Sequence, residues 1–160
     1  GNLLPEDLKK IGQTGGAYWV EADSLSRIAR TMKEVMISGY GGEEPENDIE
    51  ALLYGISRLD SVGEVVLIAD SQSPVRDMEL LYQIKVPVRV VLCGAKENRP
   101  ILEDYLEIAR STGGSIHTIE EDITQLSDAE EGSVMVIMGL PYHFTDGRWQ
   151  LLPLPNRTND

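Results

Sequence analysis

The chain has 160 residues, which suits one ordinary domain with a single hydrophobic core. Its 27 acidic and 14 basic residues give a formal net charge of −13, which argues against nucleic acid or an anionic membrane surface as a partner, because both bind basic faces. The single cysteine, Cys93, excludes an internal disulfide and a thiolate-rich metal site, and its place in an apolar run predicts that it is buried.

The cellular compartment stays open. No apolar run approaches the roughly 18 residues of a membrane-spanning helix, so membrane insertion is not expected, and no signal peptide opens the chain. A signal removed upstream of Gly1 would make the protein an exported one, and otherwise it would be cytoplasmic. The acidic surface suits divalent cations, basic protein partners or simple solubility.

Apolar residues at helical spacing predict two amphipathic helices in the first part of the chain, at about 24–37 and 46–58. A loop rich in glycine and glutamate separates them. The tripeptide Thr-Gly-Gly occurs at 14–16 and again at 112–114. Since glycine often ends a helix before a strand, the first copy predicts a short helix near 5–12 and a strand at 17–21.

Two short apolar runs rich in β-branched residues, at 64–69 and 86–92, predict buried central strands of a parallel sheet. A short helix is predicted between them around 78–84, another at about 102–112, and a third strand at 115–119. This alternation predicts an α/β fold with a doubly wound, mainly parallel sheet, flanked by helices and joined by right-handed crossovers.

The C-terminal part predicts an antiparallel hairpin. Its two strands lie at 134–138 and 148–152, and Asp146-Gly147 is a typical turn pair between them. We expect this hairpin to pack on the sheet edge, with Trp149 in the core. The predicted organisation has three parts, an α/β domain at 1–132, the hairpin at 133–153 on the same domain, and a tail at 154–160.

Asp70 directly follows the first apolar strand, at the sheet edge where open α/β sheets bind their ligands. Ser71 and Ser73 add hydroxyl oxygens, and the loop before the second helix adds Glu43 and Glu44. Such an oxygen-rich set suits Mg²⁺ or Ca²⁺, with Asp70 and Glu44 as the principal ligands. The alternative for Asp70 is a role in a turn or a helix cap. The alternative for the glutamates is that they stabilise the N-terminus of the following helix without any metal ion.

Three segments, taken in order, resemble the von Willebrand factor A family. They run from Gly41 to Leu53, from Val65 to Asp70 and from Tyr105 to Gly114. In that family a Gly-Gly loop precedes a helix, an apolar strand ends in a metal-site Asp, and an Ala-x-x-Thr-Gly-Gly turn leads to the last strand. The resemblance spans roughly 11–126 and implies a Rossmann-like doubly wound fold that binds a protein or another ligand through a divalent cation or through loops.

The sequence departs from that family at the metal site. The family's site begins with Asp-x-Ser-x-Ser after its first strand, and no such motif precedes Gly41. Glu44 and Pro45 stand nearest to the position where the second loop of the family supplies a threonine. The chain is therefore either a fragment without its first strand or a member with a degenerate site. A fragment would leave a strand edge that a partner protein, a missing segment or a homo-oligomer should cover.

No catalytic or cofactor-binding residue is assigned from the sequence. His117 lies in a predicted strand and His143 in the hairpin loop, and neither stands in a catalytic pattern with cysteine or carboxylate. Phosphate-binding and dinucleotide-binding motifs are also missing from the sequence. The predicted function is a protein- or ligand-binding module with a partial or degenerate cation site. The alternatives are a hydrolase or transferase that uses Asp70, and a purely structural scaffold.

Overall fold

A computed structural model describes residues 18–21, 23–38 and 45–153. The predicted helix near 5–12 and the predicted tail at 154–160 lie outside these residues.

The chain divides into two compact units, each described by itself below. The first is formed by Gly1–Ser61 and Ser73–Ile84, and the second by Val62–Gln72 and Lys85–Asp160. Each unit is thus assembled from two separate stretches of chain.

The helices of the first unit lie close to their predicted positions. α1 covers Leu25–Ser38 and α2 covers Asp48–Ile56. Ile49 and Leu52 of α2 are buried, as the apolar spacing of this helix predicts. The short helix predicted between the two apolar strands is a 3-10 helix, Met78–Gln83.

The prediction of a strand at 17–21 is wrong for residues 18–21, the part of this segment that the structure describes. Residues 18–21 have no regular secondary structure, and Tyr18 and Trp19 are exposed. A strand needs a neighbouring strand for its backbone groups, and none among the described residues pairs with this segment. The repeated Thr-Gly-Gly therefore does not predict a strand after its first copy.

The second unit contains a sheet of four strands, β1 (Val65–Asp70), β2 (Val88–Cys93), β3 (Ser115–His117) and β4 (Asp122–Ile123). The strand order is β1-β2-β3-β4. The first three strands are parallel, whereas β4 runs antiparallel to β3 and has no counterpart among the predicted strands. A mixed α/β structure with a mostly parallel sheet is therefore confirmed.

The prediction that β1 is a buried central strand is wrong. β1 forms one edge of the described sheet, and Val66 and Ile68 on it are 51% and 69% exposed. Cys93 at the end of β2 is also exposed, contrary to the prediction. An apolar run does not reveal whether both of its faces are covered, because coverage depends on which elements pack there.

The third helix, α3 (Glu103–Thr112), packs against β2 and β3. It ends as predicted at the second Thr-Gly-Gly, where Gly113 has a left-handed backbone with φ of 69°. The buried side chains of β2, β3 and α3 form the core on this side of the sheet, and they are Val88, Val90, Leu92, Ile116, Tyr105, Leu106, Ile108 and Ala109.

The turn after α3 joins the helix to the first residue of β2. Thr112 Oγ1 donates a hydrogen bond to Ile108 O at 2.7 Å and accepts one from Val88 N at 3.1 Å. Gly114 lies so close to Val88 that an added Cβ would be 1.9 Å from the Val88 carbonyl oxygen. The threonine and the second glycine of this motif therefore serve helix–strand packing.

The predicted C-terminal hairpin is a three-stranded antiparallel meander of β5 (Val134–Ile137), β6 (Leu140–Thr145) and β7 (Arg148–Leu151). The two predicted strands do not pair with each other, because each pairs with β6. Asp146-Gly147 forms the predicted turn, but it joins β6 to β7. A second two-residue turn, Met138-Gly139, also has positive φ at both residues and joins β5 to β6.

The meander packs on α3 through β7. Its β5–β6 turn also meets the sheet next to the edge strand β4, where Met138 N donates a hydrogen bond to Glu121 Oε2 at 2.8 Å. Trp149 is 2% exposed, as its predicted core position requires. Its indole Nε1 donates a hydrogen bond to Leu126 O at 3.3 Å, and its ring meets that of Phe144 edge-on at 5.5 Å between centroids. The indole is therefore satisfied within the core of the second unit.

Candidate functional site

Asp70 lies at the carboxyl end of β1, as predicted, and its side chain is exposed. Its Oδ1 accepts a hydrogen bond from Gln72 N at 3.0 Å, which closes a local turn. In the sheet register Asp70 stands opposite Cys93 at the end of β2. The geometry thus gives Asp70 the turn-forming role that was the alternative to metal ligation.

The other predicted ligands are divided between the two units. Ser71 belongs to the second unit with Asp70, whereas Ser73 belongs to the first unit and is buried there. Glu43 and Glu44 lie outside the described residues. In the described part of the chain, no three His, Cys, Asp or Glu side chains form a group that could hold a metal ion. A Mg²⁺ or Ca²⁺ ion at Asp70 therefore stays a proposal.

The four-stranded sheet presents an outer face, opposite to the face that carries Val88, Val90 and Leu92. Side chains alternate between the two faces of each strand, so the register defines this outer face. It combines apolar residues on β1 and β2 with polar residues on all four strands. Its members are Val66, Ile68 and Asp70 on β1, Arg89, Val91 and Cys93 on β2, Ser115 and His117 on β3, and Asp122 on β4.

A chain of hydrogen bonds joins Ser115, His117 and Asp122 on the outer face. Nδ1 of His117 lies 2.7 Å from Oδ1 of Asp122, and Nε2 of His117 lies 2.8 Å from Oγ of Ser115. A carboxylate only accepts, so in the neutral tautomer that fits these contacts Nδ1 of the imidazole donates to Asp122 and Nε2 accepts a hydrogen bond from the Ser115 hydroxyl. The serine hydroxyl, the imidazole and the carboxylate thus form one continuous hydrogen-bonded chain.

The strand geometry explains why these three side chains meet. Ser115 and His117 are two residues apart on β3, so both point to the same face, and His117 lies directly opposite Asp122 in the β3–β4 pair. The sequence does not reveal β4, so Asp122 could not be paired with His117 in advance. The signal that could have found it is the alternation Ser115-x-His117 followed by a tight return of the chain.

A second polar cluster lies in the first unit, around the N-terminus of α2. Both carboxylate oxygens of Asp77 accept hydrogen bonds from α2, Oδ1 from Ile49 N at 3.2 Å and Oδ2 from Glu50 N at 2.7 Å. Asp77 is buried, and it satisfies two backbone N–H groups that a helix leaves free in its first turn. The cap of α2 thus comes from a residue 28 positions away in the chain.

The segment before Asp77 is joined to the same helix end by backbone hydrogen bonds. Glu46 N donates to Pro74 O at 2.9 Å, and Arg76 N donates to Glu46 O at 2.7 Å. Together with the Asp77 carboxylate, these bonds attach the second stretch of the first unit to α2. The role of the cluster is structural.

We expect Asp77→Ala to lower the free energy of unfolding of the first unit by about 2 kcal/mol, because it leaves the N–H groups of Ile49 and Glu50 without their acceptor. Urea unfolding followed by circular dichroism measures the change. Asp60→Ala is the matched control, since it removes an exposed carboxylate of the same unit. Equal losses in the two variants would show that Asp77 does not cap α2.

The protonation of Asp77 should also change stability with pH. Burial raises the pKa of Asp77 above its ordinary value of 3.8, against the opposing effect of the hydrogen bonds from Glu50 N and Ile49 N. The folded state therefore holds the proton more tightly than the unfolded state. The contribution of Asp77 to stability is thus largest in acid and falls as the pH rises from 3.8 through the raised pKa.

The free energy of unfolding of the wild type, measured relative to Asp77→Asn, is accordingly expected to fall as the pH rises from 3.8 through the raised pKa of Asp77. The asparagine variant does not titrate, so it isolates the carboxyl group. A difference that stays constant or rises over this interval would contradict the raised pKa.

Comparisons with protein-family models, with curated proteins and with solved structures found no match for this chain. Within the described ranges, no helix has both the length and the apolar character needed to cross a membrane. The chain is therefore classified by its fold, as a mixed α/β protein with a mostly parallel four-stranded sheet and a separate three-stranded antiparallel sheet.

Proposed function

We propose that this protein is a binding module that pairs the edge of β1 with an extended, basic segment of a partner protein. The observation that carries the proposal is the open edge of β1, since no strand among the described residues pairs there. An edge strand offers unpaired N–H and C=O groups to an added strand. Val66 and Ile68 on the same strand offer apolar contacts for alternate side chains of that segment.

The charge of the chain supports a basic partner. With a net charge of −13, a second copy would be repelled, whereas a basic segment would be attracted over a distance of about 10 Å at moderate salt. Glu64 precedes β1 and Asp70 ends it, so carboxylates stand at both ends of the strand. Glu64 is paired with Arg89 at 3.0 Å, which leaves the exposed Asp70 as the better contact for a lysine or arginine of the partner.

The resemblance to von Willebrand factor A domains supports the same function, since that resemblance implies binding. A doubly wound arrangement and a degenerate cation site with Mg²⁺ or Ca²⁺ at Asp70 belong to this proposal as its finer parts. A homo-oligomer through the β1 edge is the alternative to a basic partner. Analytical ultracentrifugation tests this alternative, because a dimer would have twice the mass of the chain.

The test is a selection of displayed ten-residue peptides on the full chain, followed by fluorescence anisotropy with the selected sequences. We expect peptides that alternate apolar and basic residues, and we expect Ile68→Asp to weaken their binding about tenfold or more. Val136→Asp on β5 is the matched control, because Val136 is 61% exposed but lies on the other sheet. Equal binding by wild type and Ile68→Asp would reject the β1 edge as the binding surface.

A further inference from the structure

We propose that Ser115 is a nucleophile, activated by His117 and oriented by Asp122, and that this site on the outer face of the four-stranded sheet hydrolyses small carboxylic esters. The proposal rests on a continuous chain of hydrogen bonds. Asp122 Oδ1 lies 2.7 Å from His117 Nδ1, and His117 Nε2 lies 2.8 Å from Ser115 Oγ. Both distances lie within the range that a nucleophile and its base require. The inference does not depend on peptide binding at β1.

The secondary structure holds the three groups in place. Ser115 and His117 are part-buried on β3, and β4 places Asp122 opposite His117 through the strand register. The carboxylate keeps the imidazole in the tautomer whose Nε2 can accept a proton. The serine hydroxyl also remains within reach of a ligand from solvent, since its side chain is not fully buried.

The neighbouring residues indicate the substrate class. Val91 stands opposite His117 in the β2–β3 register, and Ile68 stands opposite Val91 on β1, so an apolar row continues from the imidazole. Arg89 stands opposite Ser115 on the same face, where its guanidinium is paired with Glu64 at 3.0 Å. An ester with a short apolar acyl group fits this arrangement, with its acyl chain over Val91 and Ile68.

The reaction balances with water as the second reactant. Ser115 Oγ attacks the ester carbonyl carbon and forms a C–O bond while its proton passes to His117 Nε2. The tetrahedral intermediate then breaks its bond to the leaving alcohol, which takes the proton from His117. A water molecule, deprotonated by the same nitrogen, attacks the acyl-serine, releases the carboxylic acid and restores the serine hydroxyl.

The test uses the full chain with two probes, p-nitrophenyl butyrate for turnover and a fluorophosphonate for covalent labelling, with the labelled peptide located by mass spectrometry. We expect one label, on Ser115, and turnover that is lost in Ser115→Ala. His117→Gln should slow both labelling and turnover about 100-fold or more, because the base is removed. Ser127→Ala removes an exposed serine elsewhere in the same unit and should change neither.

Asp122→Asn separates catalysis from folding, since it keeps the size of the side chain. It should slow turnover and leave the thermal melting temperature close to that of the wild type. An unlabelled wild type, labelling that persists in Ser115→Ala, or turnover that is equal in His117→Gln would each overturn the proposal.

Discussion

Gly114→Ala is expected to lower the free energy of unfolding of the second unit by about 4 kcal/mol or more, a large loss for a single substitution. The added Cβ would lie 1.9 Å from the carbonyl oxygen, 2.6 Å from the carbonyl carbon and 2.8 Å from the nitrogen of Val88. All three are backbone atoms at the start of β2, so no side chain can rotate away to make room. Urea unfolding followed by circular dichroism measures the loss.

Gly113→Ala is the control for this prediction. Gly113 has a left-handed backbone with φ of 69°, but no atom outside its chain neighbours lies within 4 Å of a Cβ added there. Only the backbone strain remains, and this costs roughly 1 kcal/mol for an alanine. Similar losses for both variants would contradict the close helix–strand contact and leave backbone conformation as the common cause.

Trp149→Ala is expected to cost about 4 kcal/mol, in the range for a large aromatic side chain removed from a core. The indole is 2% exposed, packs edge-on against Phe144 and donates to Leu126 O, so its loss leaves a cavity and a carbonyl without its donor. Trp19→Ala is the matched control, because Trp19 is 40% exposed. We expect its effect to stay within about 1 kcal/mol.

Thermal and urea unfolding measure the stability of both tryptophan variants, and the fluorescence of the tryptophan that remains in each variant follows the transition. In Trp19→Ala, the emission of Trp149 should report the core directly and shift to the red only when the second unit unfolds. A Trp149→Ala variant as stable as Trp19→Ala would show that the meander is not part of the core of that unit.

Local patterns determined much of the secondary structure. The spacing of apolar residues predicted α1 and α2, and the β-rich runs predicted β1 and β2, because a side-chain period follows directly from local geometry. The second Thr-Gly-Gly marked the end of α3, since glycine tolerates the left-handed backbone there. Asp146-Gly147 marked a turn for the same reason.

Strand pairing was not predictable in the same way. The meander contains β6, a strand within the segment predicted as a loop, and the two predicted hairpin strands are the neighbours of that strand. Pairing depends on which segments meet after folding, and a run of residues does not specify its partner. The same limit hid β4 and the antiparallel end of the four-stranded sheet.

The candidate site shows the same difference between local features, which the sequence predicts, and contacts between distant segments, which it does not. The sequence placed Asp70 at the carboxyl end of a strand, and the structure gives its carboxylate a turn hydrogen bond to Gln72 N. The contact between His117 and Asp122 needs the β3–β4 register, which the sequence does not specify. Asp77 caps a helix 28 residues away for the same kind of reason, since the chain must fold back before the cap exists.

The sequence by itself determined that the chain is acidic, mixed α/β, and built from amphipathic helices and short apolar strands, because these properties depend on composition and local period. Only the tertiary structure decided that β1 is an edge with exposed Val66 and Ile68, and that Ser115, His117 and Asp122 meet on one face. Contacts between residues distant along the chain depend on register and packing, which no local pattern records.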